Sequence, residues 1–84
     1  MRKVLVVEDD RETAEQMATC LAEGGYTVDL ALDGNEAIER GRSGEYAVMT
    51  VDRMLPGLDG LEVLQKLRTT GVATPALIIS ALGG

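Results

Sequence analysis

The sequence predicts an α/β domain whose strands form one parallel sheet, in the order βαβαβαβ. Short apolar runs rich in Val, Leu and Ile alternate with segments in which apolar residues recur every three or four positions. The first pattern is typical of strands covered on both faces, and the second is typical of helices that pack one face on a sheet. Strands that alternate with helices indicate a parallel sheet with right-handed crossovers. The 84 residues are expected to form a single domain.

Composition constrains the core and excludes several classes of protein. Hydrophobic residues make up 45% of the chain, with two Tyr and neither Trp nor Phe, so the core must be aliphatic. The net charge of −6 argues against direct nucleic-acid binding, which requires a basic surface. The single cysteine, Cys20, excludes a disulfide framework and fits a reducing, cytoplasmic setting. No apolar stretch approaches the roughly 20 residues of a membrane span.

The first strand and the first helix are predicted close to the amino terminus. Lys3–Val7, with the sequence KVLVV, is a continuous apolar run typical of a covered strand. Asp9 or Asp10 is available as the amino-terminal cap of the helix, and Gly24 with Gly25 as its stop signal. The apolar face of this helix is predicted to contain Ala14, Met17, Ala18 and Leu21.

The second strand and the second helix carry weaker signals. Tyr26–Leu32, YTVDLAL, alternates with period two, which is typical of a strand near a sheet edge. Residues 33–44, DGNEAIERGRSG, predict a turn and a short helix. Gly41 falls where a strong helix former is expected, so the predicted helix is weak.

The second half of the chain predicts two more strands and a third helix. Ala47–Val51 is a second buried run, followed by a loop at Pro56 and by a helix from about Leu58 to Thr70. The apolar stripe of this helix is predicted to contain Leu61, Leu64 and Leu67, widened by Val63. Thr74–Leu82 is a third buried run, and its strand is predicted at Ala76–Ser80 because Pro75 can only begin a strand.

Acidic residues follow the predicted strands at one edge of the sheet. Glu8, Asp9 and Asp10 follow the first strand. Asp52 follows the third strand, and Ser80 ends the fourth. Parallel strands end at the same edge, so these residues should converge where open α/β sheets bind ligands. Carboxylates repel one another by about 1 to 4 kcal/mol per pair at ~4 Å, a cost that a bound cation would offset. Oxygen ligands without His or Cys favour Mg²⁺, or Mn²⁺, over zinc.

Each of these residues also has a purely structural interpretation. The acids after the first strand can cap the following helix and complement its dipole. Asp52 can start a turn, and Ser80 alone carries no information. Only the joint placement of these side chains favours a ligand site. Met17, Met49 and Met54 are expected to be packing residues.

Three motifs, in their order and spacing, resemble the receiver domain of two-component response regulators: VLVVEDD at 4–10, VDRMLPGLDG at 51–60 and PALIIS at 75–80. The resemblance extends over residues 1–84. It implies a flavodoxin-like parallel sheet, here truncated after the fourth strand, with strands 1 to 4 and helices 1 to 3 and without an output domain. MLPG resembles regulators whose output domain is a DNA-binding winged helix.

The resemblance also implies a mechanism of signalling. Asp52 would accept a phosphoryl group from a sensor histidine kinase, and the domain would assist its own phosphorylation and dephosphorylation without being a turnover enzyme. Ser80 would be the switch hydroxyl, and the backbone N–H of Ala81 would bind the phosphoryl group. The implied protein ligands of Mg²⁺ are Glu8, Asp9, Asp52 and the backbone carbonyl of Met54.

The sequence departs from the family pattern in ways that affect its expected function. Receiver domains continue through a fourth helix, a fifth strand ending in a phosphate-binding Lys, and a fifth helix, none of which is found in the 84 residues. Neither Lys3 nor Lys66 can replace that Lys, so switching is expected to be impaired. Arg53 adds a cation directly after the acceptor.

The same departure predicts exposed surfaces and leaves other functions open. The fourth strand is expected to be an exposed edge, and part of the sheet face and the flank of the first helix around Ala14, Met17 and Leu21 are expected to be bare. Two copies should then associate, so a homo-oligomer is expected. The alternatives are an interaction or assembly fragment that does not switch, and a metal-dependent phosphotransfer enzyme on a similar sheet.

Overall fold

A computed structural model describes residues 2–79 and contains four strands and three helices. In chain order these are β1 (Lys3–Val7), α1 (Arg11–Glu23), β2 (Thr27–Ala31), α2 (Gly34–Gly41), β3 (Val48–Asp52), α3 (Gly60–Thr69) and β4 (Ala76–Ile79). The strands form one sheet in the order β2-β1-β3-β4, and every neighbouring pair is parallel. The predicted βαβαβαβ order, the parallel sheet and the edge position of β2 are confirmed.

The two central strands carry most of the core. Residues 4–7 of β1 are each at most 1% exposed, and Met49 and Val51 of β3 are fully buried. On one face of the sheet these strands pack against α2 and α3 through Ala37, Val63 and Leu67. Side chains alternate along a strand, so Thr50 faces the other side, where it lines a cavity with residues of α1. The core is aliphatic, as the composition predicts, except for Tyr46, which is 6% exposed and belongs to the core cluster.

α1 begins and ends at the predicted signals. Asp10 is its amino-terminal cap and accepts a hydrogen bond from the Thr13 N–H at 3.1 Å. Gly24 is its carboxyl-terminal cap. The expectation that the face around Ala14 would be bare is wrong for this residue, which is fully buried against the sheet. Met17 and Leu21 are half-buried.

α2 forms although Gly41 lowers its helix propensity. The close packing of α2 on α3 explains why a glycine occupies this position. Gly41 is buried, and a Cβ atom there would lie 3.0 Å from Leu67 Cδ1. The missing side chain therefore lets α2 approach α3 closely. Asp33 caps the other end of α2 by accepting a hydrogen bond from the Glu36 N–H at 2.8 Å.

α3 starts two residues later than predicted, and its core face contains Val63, Leu64 and Leu67 of the predicted stripe but not Leu61. Asp59 is its cap and forms a capping box with Glu62, so the helix begins at Gly60. The fully buried positions are Val63 and Leu67. The prediction was wrong for Leu61, which is 46% exposed because it lies beside this face.

β4 is exposed, in contrast to the other strands. Leu77, Ile78 and Ile79 are 63%, 37% and 40% exposed, which confirms the expected exposed edge, although their apolar run is typical of a buried strand. Among residues 2–79, β4 pairs with β3 alone, which leaves an open edge of the kind expected. The predicted end of this strand, Ser80, lies outside the described residues. In the described part of the chain, no helix is long and apolar enough to cross a membrane.

Candidate functional site

Three carboxylates from two strand ends meet at the carboxyl edge of the sheet. Glu8 and Asp9 follow β1, and Asp52 is the last residue of the neighbouring strand β3. Each side chain offers one carboxylate oxygen, and these three oxygens all lie within 4.8 Å of one another. We call Glu8, Asp9 and Asp52 the acid cluster. The structure therefore brings together three of the residues that the strand order predicts to converge.

Asp10, the fourth acid at this edge, has a structural role. Its carboxylate accepts hydrogen bonds from both the backbone N–H and the hydroxyl of Thr13, at the start of α1. These hydrogen bonds lower the pKa of Asp10, because they favour its charged form. The capping interpretation therefore holds for Asp10.

Glu8 has an unusual electrostatic environment. Burial raises the pKa of Glu8 to about 7, and Asp9 and Asp52 contribute to the rise. The Asp10 N–H opposes it, donating a hydrogen bond to Glu8 Oε2 at 2.9 Å. The charged form of Glu8 is thus disfavoured, first by burial and then by the neighbouring acids. A divalent cation would offset this cost, and an all-oxygen donor set suits Mg²⁺, so these residues fit the metal that the family implies.

Asp52 is half-buried and its carboxylate is oriented by the backbone. Its Oδ1 accepts a hydrogen bond from the Met54 N–H at 3.0 Å, the geometry of a side-chain turn. The next residue is anchored to β4, because the Arg53 N–H donates to the Ile79 carbonyl at 3.0 Å. Asp52 therefore starts a turn and also contributes to the acid cluster, so its two interpretations are compatible.

Gly60 positions this strand end, a role that the sequence reading missed. A Cβ atom on Gly60 would lie 2.4 Å from the Asp52 carbonyl oxygen and 2.9 Å from Val51 Cγ1. The Gly60 N–H donates to the Arg53 carbonyl at 3.1 Å. The sequence offered one signal for this role, a glycine in the first turn of a helix. Glycine has a low helix propensity, so its presence there indicates a reason other than helix formation.

A cavity of about 450 Å³ opens beside the acid cluster. Its lining residues are Asp9, Arg53, Met54, Leu55, Pro56 and Asp59. The Met54 side chain is 72% exposed, so the expectation that it packs in the core was wrong. Its backbone carbonyl stays a predicted metal ligand. A larger cavity of about 560 Å³ between α2 and α3 contains none of the acid cluster. The predicted Ser80 hydroxyl and Ala81 N–H lie outside the described residues.

The sequence profile of the family described as response regulator receiver domain matches residues 4–84. The chain belongs to this family. Receiver domains are signalling modules of two-component systems, and they generally bind Mg²⁺ at an acidic pocket. The family named from the three sequence motifs is confirmed.

Relatives of this receiver domain are longer than the chain. Response regulator MprA of Mycobacterium ulcerans is 46% identical over 79 residues, which are 94% of this chain and 34% of that protein. The chain therefore spans about a third of this curated relative.

Solved structures show the same fold. The Francisella response regulator 1452 receiver domain has a TM-score of 0.90 and 38% identity, over 100% of this chain and 69% of that one. TrrA from Thermotoga maritima, in complex with Mg²⁺-BeF, has a TM-score of 0.90 and 32% identity, over 99% of this chain and 72% of its own. TrrA has also been solved in complex with the histidine kinase ThkA. These neighbours confirm the flavodoxin-like fold.

Proposed function

We propose that the chain is a phospho-accepting module in which Asp52 takes a phosphoryl group from a sensor histidine kinase. The observation that carries the proposal is the acid cluster at the carboxyl edge of a receiver-family sheet, with carboxylate oxygens within 4.8 Å of one another. The kinase complex of TrrA supports the choice of partner. The cytoplasmic location, the lack of nucleic-acid binding by this segment and a winged-helix output domain in the parent protein stay predictions.

The proposed reaction is an attack by a carboxylate on phosphorus. A bond forms between an Asp52 carboxylate oxygen and phosphorus, while the bond between phosphorus and the imidazole nitrogen of the phosphohistidine breaks. The electron pair of the broken bond stays on that nitrogen, and the ring, protonated on its other nitrogen, leaves as neutral imidazole. The product is an acyl phosphate on Asp52.

Several groups of the chain prepare Asp52 for this attack. The Met54 N–H fixes one carboxylate oxygen, and the buried residues of β3 hold the strand end behind it. Glu8, Asp9, Asp52 and the Met54 carbonyl would hold Mg²⁺, which neutralises charge on the phosphoryl oxygens when bound. The loop at Pro56 leaves the cavity beside Asp9 open to a phosphodonor.

Labelling with radioactive acetyl phosphate and Mg²⁺ tests this function. The 84-residue chain should acquire an alkali-labile label, and Asp52→Asn should remove it. Glu23→Gln, an exposed acid at the end of α1, is the matched control and should label like the parent. A label that survives Asp52→Asn would overturn the assignment. The phosphorylated state of the 84-residue chain should be poorly stabilised, because the charge-assisted contact of the family's phosphate-binding Lys is missing from the sequence.

The exposed β4 strand favours a second candidate function, an interaction or assembly module. Within residues 2–79, one edge of β4 has no strand partner and offers backbone N–H and C=O groups together with the exposed side chains of Leu77, Ile78 and Ile79. We propose that two copies of the 84-residue chain pair through this strand with two-fold symmetry. Light scattering at micromolar concentration distinguishes this homo-oligomer from a monomer.

A further inference from the structure

Arg53 has a fixed backbone next to the proposed phospho-acceptor. Its N–H donates to the Ile79 carbonyl at 3.0 Å, and its carbonyl accepts from the Gly60 N–H at 3.1 Å. These two hydrogen bonds connect Arg53 to the end of β4 and to the start of α3. Arg53 also follows β3 directly in the chain. The backbone from which its side chain extends is therefore held by β3, β4 and α3.

The Arg53 side chain is exposed and lines the cavity beside the acid cluster. Within residues 2–79, ion pairs are made by other cations: Lys3, Arg11, Arg40 and Arg42. Arg53 is thus a lining residue of this cavity that forms no ion pair with a carboxylate in the described part of the chain. Asp9 lines the same cavity, which places the opening next to the acid cluster.

The charge at this position matters because the proposed phosphodonor is an anion. The acid cluster repels an incoming phosphoryl group, and a bound Mg²⁺ removes only part of this negative charge. A guanidinium presents a planar set of donors that matches phosphate oxygens. Arg53 is also among the residues of the cavity wall that the reaction proposed above leaves without a role.

We propose that Arg53 is an anion-positioning residue, whose positive charge binds the phosphoryl group in this cavity before and after its transfer to Asp52. The proposal rests on the phospho-acceptor function proposed above. It assigns no metal ligand to Arg53, because two cations repel each other. Arg53 should therefore strengthen binding of the anion without strengthening binding of Mg²⁺.

Fluorine NMR can follow the binding of beryllium fluoride at saturating Mg²⁺. This experiment measures how much Arg53 contributes to the affinity for the anion. The affinity of the 84-residue chain should fall by about three- to tenfold in Arg53→Gln, because an exposed charge-assisted contact is lost. Arg53→Lys should keep most of the parent affinity, and Arg53→Glu should bind more weakly than Arg53→Gln. Arg2→Gln is the matched control, since Arg2 is exposed and precedes β1 at the opposite edge of the sheet.

Mg²⁺ binding without the anion, measured by calorimetry, separates positioning from structural damage. Arg53→Gln should bind Mg²⁺ as well as the parent or slightly better. Loss of both affinities would overturn the proposal in favour of a structural role, and an unchanged anion affinity would also overturn it.

If Asp52→Asn binds beryllium fluoride like the parent, the acceptor assignment fails and the Arg53 proposal fails with it. If Asp52→Asn loses binding of beryllium fluoride while Arg53→Gln keeps the parent affinity, the acceptor function stands and only the Arg53 proposal is overturned.

Discussion

Asp52 depends on its nearest neighbours for its position. The Met54 N–H orients its carboxylate, and the close approach of Gly60 supports its backbone. Beside it, burial and the neighbouring acids raise the pKa of Glu8. The convergence of Asp52 with Glu8 was predictable, because it follows from parallel strands. The role of Gly60 was not predictable, because it depends on how closely α3 approaches β3.

The contact at Gly60 predicts that even one methyl group there is harmful. In Gly60→Ala, the added Cβ would meet the Asp52 carbonyl oxygen at 2.4 Å, and a backbone atom cannot yield as a side chain does. We expect a loss of about 1 to 3 kcal/mol in the free energy of unfolding, despite the better helix propensity of Ala. Urea denaturation measures it. Gln65→Ala, at an exposed position of α3, should cause no loss, and an equally stable Gly60→Ala would refute the positioning role.

The acid cluster predicts that Mg²⁺ stabilises the fold. Binding to the native state alone should add about 1 to 3 kcal/mol at ten to 100 times Kd, and should raise the melting temperature accordingly. Asp9→Asn should largely remove this gain, because it removes one of the three clustered carboxylates. Thermal melts with and without Mg²⁺, monitored by circular dichroism, measure the effect. A melting temperature of the parent chain that does not respond to Mg²⁺ would argue against a metal site.

At the scale of helices and strands, local sequence patterns correctly predicted the features that depend on one element alone. β1 has the predicted bounds, and α1 has its predicted caps, since runs and caps are properties of the segment itself. Prediction failed where neighbours determined the outcome. The exposure of Leu61 on α3 and the packing of α2 at Gly41 depend on the approach of the two helices. The exposed edge at β4 was predicted, because it follows from the strand order rather than from the apolar residues of the strand.

A polar network between β1, β2 and the residue Tyr46 that precedes β3 predicts an acid-sensitive contribution to stability. The Tyr46 hydroxyl donates to Asp29 Oδ2 at 2.7 Å, and Lys3 Nζ lies 3.6 Å from the same oxygen. The hydrogen bond from Tyr46 is the main cause that lowers the pKa of Asp29. This contribution is therefore present above the ordinary pKa of Asp and is lost as the pH falls through the lowered value.

Replacement of Tyr46 by Phe tests this network. Tyr46→Phe should cost about 0.5 to 1.5 kcal/mol in the free energy of unfolding at neutral pH, because one hydrogen bond to a carboxylate is lost. The difference from the parent should shrink as the pH falls below the ordinary pKa of Asp and through the lowered pKa of Asp29. Urea denaturation between pH 3 and 7 measures it. Tyr26→Phe, at a half-buried position before β2, is the control, and a difference that does not vary with pH would contradict the assignment.

At the scale of the whole molecule, the two faces of the sheet are unequally covered. α2 and α3 close one face with a cluster of buried side chains. On the other face, Leu77 of β4 lies beside Thr50 in the strand register, and an apolar cavity of about 320 Å³ opens between Thr50 and α1. In the described part of the chain, Thr50 Oγ1 is buried without a hydrogen-bond partner. The uncovered side of the molecule thus continues from β4 across the sheet toward α1.

This uncovered side predicts that the 84-residue chain associates through β4. Pairing of two β4 edges would satisfy free backbone groups and bury apolar side chains of the strand, whereas a Lys at Ile78 or Ile79 would place a charge in the contact. Sedimentation velocity at micromolar concentration should show a dimer for the parent and a monomer for Ile78→Lys and Ile79→Lys. Leu61→Lys is the matched control, because Leu61 is 46% exposed on α3 and should leave the dimer intact. A folded parent chain that sediments as a monomer would refute the association, and a dimer that resists both β4 substitutions would place the contact elsewhere on the surface.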